Sequence, residues 1–108
     1  MKTAWTDKVD PNMPLPEYPR PQLARHGWMN MHGLWDYAIN DSSRFPKDFD
    51  GQIVVPFSPE APLSGVNRQL KSGEYLWYRR AVAIPGAFSG KRIILHFGAV
   101  DQTAAVWV

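Results

Sequence analysis

An all-β fold is predicted by three features of the sequence. The stretch from Leu76 to Val108 reads as three strands separated by turn residues. The remainder alternates short β-branched or aromatic runs with proline, glycine and Asx turns. Five tryptophans and ten prolines among 108 residues suit short strands and loops better than helices. The chain is long enough for one modest domain, which at this size buries about 60 to 65% of its unfolded surface.

Taken in order, residues 1–22 form a proline-rich strap. Five of the ten prolines stand at positions 11, 14, 16, 19 and 21, and each fixes its own φ and biases the residue before it towards extended conformations. A linker or tail is one reading of this segment. The preferred one is a polyproline-like strap laid on the domain, because Trp5, Leu15 and Tyr18 supply apolar anchors that a free linker does not need. Pro-Xaa-Xaa-Pro spacing also suits a ligand of a proline-recognition domain, but it arises by chance in any segment this rich in proline.

Residues 23–108 form the domain proper. Leu23 to Asn30 makes a helical turn or loop that delivers Trp28 to the core. His32 to Ile39 is a strand with Trp35, Tyr37 and Ile39 on one face and Asp36 on the other. Residues 40–51 carry Asx turn chemistry and form a surface loop. Gln52 to Val55 is a short strand closed by Pro56, and residues 57–73 make an ordered excursion across one end of the fold. Trp77 to Ile84 forms the next strand, ended by Pro85-Gly86. Arg92 to Phe97 follows, with Ile93, Leu95 and Phe97 opposite Ile94 and His96, and Ala104 to Val108 is the last. Trp35, Trp77 and Trp107 are expected in the core.

Charge and composition set several function classes aside. A net charge of +2 with interspersed signs makes no basic stripe for nucleic acid. No apolar run approaches the ~20 residues of a membrane span. The absence of cysteine removes disulfides and thiolate metal sites but gives no compartment. His26, His32 and His96 lack metal-ligand spacing, so no metal is expected. Neither a nucleophile elbow nor a phosphate loop is present, so the reading includes no cofactor. Asp48 and Asp50 read as turn carboxylates that cap backbone N–H groups.

Three stretches together resemble the N-terminal sugar-binding domain of glycoside hydrolase family 2, the β-galactosidases, β-glucuronidases and β-mannosidases. They are Asn30-Met31-His32-Gly33-Leu34-Trp35-Asp36-Tyr37, then Ile53-Val54-Val55-Pro56-Phe57-Ser58-Pro59-Glu60 with Leu63-Ser64-Gly65-Val66, and Leu76-Trp77-Tyr78-Arg79-Arg80 with Phe97-Gly98-Ala99-Val100-Asp101. The opening Pro14 to Gln22 looks like the strap that precedes this domain in bacterial members.

The resemblance implies a jelly-roll β-sandwich of the galactose-binding type, packed beside a catalytic (β/α)8 barrel. It also implies a partial domain, with roughly five strands where a jelly roll has about eight. Retaining glycosidases work with two carboxyl groups about 5 to 5.5 Å apart, and the family places both in the barrel. By this resemblance the chain is the non-catalytic part of a parent enzyme that hydrolyses β-linked sugars.

The residues that would border the barrel or the sugar pocket are Glu60, Arg79, Arg80 and Asp101. Arg79 and Arg80 alternate across their strand, so one faces inward and needs a carboxylate, which Glu60 or Asp101 would supply. A turn carboxylate bonded to neighbouring amides is the alternative for Asp101. A stand-alone carbohydrate-binding module and a purely structural β-domain remain open as other functions. Open sheet edges carry an expectation of self-association.

Overall fold

A computed structural model describes residues 3, 4 and 6–108 of the chain. Its centre is a three-stranded antiparallel sheet of β1 (Gly33–Asn40), β2 (Gly51–Val55) and β3 (Tyr75–Arg79), in the order β2-β1-β3. Four single turns of 3-10 helix punctuate the connections, at Thr6–Lys8, Pro21–Leu23, Pro62–Ser64 and Gly86–Phe88, and no α-helix occurs among the described residues. The chain is therefore all-β.

Each strand has a local cause and a local stop. β1 is GLWDYAIN and β3 is YLWYR, both rich in residues that pack well on a pleated surface, and β2 ends in the β-branched Ile53, Val54 and Val55. Beyond Asn40 the chain turns because the Asn40 side chain accepts the Ser42 N–H at 3.1 Å. β2 stops before Pro56, which has no N–H for a ladder.

Register assigns the faces. Trp35 lies opposite Ile53, and Tyr37 and Ile39 lie opposite Tyr78 and Leu76, so these six residues share one face. On the other, Asp36 stands opposite both Gln52 and Arg79, Ala38 opposite Trp77, and Leu34 opposite Val54. The four buried apolar residues of the strands come from both faces: Ile39 and Ile53 from the first, Ala38 and Val54 from the second. Ile53 is wholly enclosed, a burial that contributes about 1.5–3 kcal/mol.

The proline-rich segment lies against the start of β1. Pro14 is buried, its carbonyl is 3.1 Å from His32 Nδ1, and the Asn30 amide donates to the Leu15 carbonyl at 3.0 Å. A Cβ on Gly33, at φ +108°, would stand 2.7 Å from the Asn12 carbonyl oxygen, so only glycine admits the strap this closely. Leu15, expected as an anchor, is 48% exposed, and Pro14 has its place. Trp5 lies outside the described residues.

The connection from β2 to β3 is ordered, as expected. Ser64 is fully buried, donates to the Pro59 carbonyl at 3.1 Å and accepts the Val66 N–H at 3.0 Å. Gly65 closes the Pro62–Ser64 turn in the left-handed conformation.

Three expectations are corrected. β3 begins at Tyr75 and ends at Arg79, short of Ile84. Residues 92–97 and 104–108 form no strand ladder. Ile93 and Leu95, at 53% and 45% exposed, are no more covered than Ile94 at 51%. With no neighbouring strand to hydrogen-bond, period-two patterning leaves both rows open to solvent. The tryptophans are also less enclosed than expected: Trp35 and Trp77 are half-buried, Trp28 is part-exposed, and Trp107 is 71% exposed although its ring stacks on Trp77.

Candidate functional site

Arg79 and Asp36 are paired across β3 and β1. Arg79 Nη2 and Nε both donate to Asp36 Oδ2, at 2.8 and 3.1 Å. The guanidinium carbon also lies 4.1 Å from the centre of the Phe49 ring, so a carboxylate in front and an aromatic ring beside it hold the arginine in one geometry. Both partners are part-exposed, and such pairs contribute about 0–1 kcal/mol to stability. Their significance is positional.

Around this pair the β1–β2 loop builds a wall. Asp50 Oδ2 accepts the Ile39 N–H at 2.8 Å, and the Asp50 N–H donates to the Tyr37 carbonyl at 2.8 Å, which fixes the loop to β1. This is the backbone-capping role expected of Asp50; among the described residues Asp48 makes no such bond. Phe45 packs edge-on against Phe49 and Trp77, at 5.9 and 5.8 Å between ring centres. The result is a shallow, open depression of about 350 Å³ lined by Asp36, Lys47, Asp48, Phe49, Gly51, Gln52 and Arg79.

Arg80 lies on the opposite face. Its Nη1 donates to the carbonyls of Met31 and His32, both at 2.7 Å, and its guanidinium lies 5.8 Å from the Trp35 ring. Trp35 Nε1 donates to the same Met31 carbonyl at 2.8 Å. Arg80 thus ties the end of β3 to the approach to β1 without a carboxylate. The expected pairing of an inward arginine with Glu60 or Asp101 is corrected: Asp36 pairs Arg79, because the β1–β3 register sets those two residues directly opposite.

Glu60 is exposed on the β2–β3 connection, near enough to Tyr78 to act on it electrostatically. Burial pushes the Tyr78 hydroxyl above its ordinary pKa, and the Glu60 carboxylate adds to the shift. Asp101 is exposed, and its Oδ1 accepts the neighbouring Gln102 N–H at 2.9 Å, as a turn carboxylate does. The four residues named from the sequence do not converge. Arg79 alone of the four lines the depression.

Asp36 as the partner of Arg79, and Lys47 and Gln52 beside it, were missed. A carboxylate in the middle of an apolar run was the available signal, but its partner depended on register with a residue 43 positions away.

Tyr18 meets Trp28 edge-on, with ring centres 4.8 Å apart and planes at 83°, so Trp28 serves as a strap anchor. Among the described residues no group of three His, Cys, Asp or Glu side chains is placed to hold a metal ion, and no helix is long and apolar enough to cross a membrane. No protein-family model matches the chain.

Proposed function

We propose that this chain is the N-terminal, non-catalytic β-sandwich domain of a retaining β-glycosidase resembling glycoside hydrolase family 2, with a jelly-roll topology completed by further strands. The observation that carries the reading is the common sheet. Gly33-Leu34-Trp35-Asp36-Tyr37, Ile53-Val54-Val55 and Leu76-Trp77-Tyr78-Arg79, the core of the three family-like stretches, lie in neighbouring strands of one sheet. The stacking of Trp107 on Trp77 supports a second layer, since it brings a residue outside the ladder against a sheet side chain.

In this reading the domain buttresses a (β/α)8 barrel, and the barrel supplies both catalytic carboxylates. Glu60, Arg79, Arg80 and Asp101 would border that partner. Arg80 acts through its hold on the Met31 and His32 carbonyls, and exposed Glu60 and Asp101 are available for contact. Reading the coding sequence past the Val108 codon tests the proposal. An in-frame continuation into further strands and a barrel with two glutamates is expected, and a stop codon directly after Val108 would overturn it.

A further inference from the structure

The proline-rich strap and the approach to β1 form a half-open groove of about 420 Å³, lined by Leu15, Glu17, Tyr18, Pro19 and His32. Small-molecule sites span roughly 300–1,000 Å³. The strap is pinned along this groove. The Asn30 amide donates to the Leu15 carbonyl, His32 Nδ1 lies 3.1 Å from the Pro14 carbonyl, and the Tyr18 ring meets Trp28 edge-on. Leu15 is held at φ +51°, a left-handed conformation that leucine adopts only where its surroundings impose it. Strain of this kind collects at ligand sites.

The walls select the ligand. Leu15, Pro19 and the Tyr18 ring offer apolar surface. A carbonyl can only accept, so His32 Nδ1 donates to Pro14, and Nε2 of the neutral ring is left as an acceptor. Glu17 is exposed, and among the described residues it enters no ion pair or hydrogen bond. Neither lysine nor arginine lines the groove, so an anion would meet the Glu17 carboxylate with no cation to offset it. A small bare cation would gain nothing from the apolar walls. An ammonium on an apolar stem uses both features, since its N–H groups meet the carboxylate while the stem covers Leu15 and Pro19. Because the strap is already fixed, little order remains to be imposed on binding.

We propose that this groove binds a primary ammonium carried on an apolar stem, with the charge at Glu17 and the stem against Leu15 and Pro19. The inference rests on the strap alone and goes beyond the assignment of the domain to a glycosidase.

The test is an NMR titration of the 15N-labelled 108-residue chain with phenethylammonium chloride and, separately, methylammonium chloride, 2-phenylethanol and sodium 3-phenylpropionate at constant ionic strength. Saturable shifts at the Leu15, Glu17, Tyr18 and His32 amides and the Trp28 indole N–H are expected with phenethylammonium. The alcohol, which keeps the stem and lacks the charge, should bind about fivefold more weakly, and the other two compounds should not saturate these signals. Glu17→Gln, an exposed and isosteric change, should bring phenethylammonium down to the level of the alcohol with the rest of the spectrum intact. Leu15→Gly, which suits the backbone but removes a wall, should weaken both compounds.

No saturable shift with phenethylammonium, equal binding of 3-phenylpropionate or methylammonium, or an affinity that Glu17→Gln leaves unchanged would each overturn the proposal. Should Leu15→Gly not fold, the Glu17→Gln comparison decides. None of these outcomes bears on whether the coding sequence continues past Val108.

Discussion

The indole of Trp107 stacks on that of Trp77, with ring centres 6.0 Å apart and planes at 24°. Among the described residues this is the one ring contact between residues 104–108 and the sheet, so its removal should loosen that segment with little effect on β1–β3. Trp107→Ala is expected to lose about 0.5–1.5 kcal/mol, or several degrees in Tm for a chain of this size. A double-mutant cycle with Trp77→Ala, followed by thermal denaturation, should return most of that loss as coupling energy.

Gly33→Ala should be more costly than a typical glycine replacement. The substitution meets both a left-handed backbone at φ +108° and the Asn12 carbonyl 2.7 Å from the new methyl. A loss of more than about 1 kcal/mol is expected, accompanied by faster proteolysis within residues 10–22 as the strap lifts. Unchanged protease resistance there would show that Gly33 does not hold the strap.

Ser64→Ala removes a buried hydroxyl that satisfies both the Pro59 carbonyl and the Val66 N–H. Leaving those groups without their partner should cost about 1–3 kcal/mol. Urea denaturation will measure it, and an unaltered m-value would place the effect in the folded loop.

Stability should fall at high pH through Tyr78. Burial, and then Glu60, raise its folded pKa above the ordinary 10.0, so between those two values the folded state retains a proton that the unfolded chain has released. The contribution is therefore complete below the unfolded pKa and is lost as pH rises through the folded one. Urea midpoints compared at about pH 9 and about pH 11 should drop less in Tyr78→Phe than in the parent chain. Glu60→Gln should reduce the slope by a smaller amount.

Self-association is expected of a sheet whose outer strands, β2 and β3, each present an unpaired edge, beside exposed Ile93, Phe97 and Val106. Light scattering should give an apparent mass that rises with concentration, and Val106→Lys should lower it. A constant monomer mass up to high concentration would count against the edges as docking strands.

Much of the sheet was legible before any coordinates. The alternation in Trp35-Asp36-Tyr37-Ala38-Ile39, the β-branched run before Pro56 and the aromatic run ending in Arg79 are local signals, and each became a strand. The strap's contact with the domain was also legible, though through Pro14 and Gly33 more than through Leu15. The run Arg92 to Phe97 misled because periodicity reports what a segment is suited to, whereas a ladder requires a neighbour.

The candidate site was the least legible part. Asp36 stood out only as a carboxylate within an apolar run, Gln52 not at all, and the carboxylate expected for the inward one of Arg79 and Arg80 was Glu60 or Asp101 where the sheet supplies Asp36. Strand identity follows from side-chain shape and turn chemistry within a few residues, and the chain carries that information locally. Which carboxylate faces which arginine follows from register between distant strands, where a slip of one residue would send Asp36 to the other face. Pairing β1 with both β2 and β3 is what aligned Gln52, Asp36 and Arg79 into one row and folded Phe49 against it.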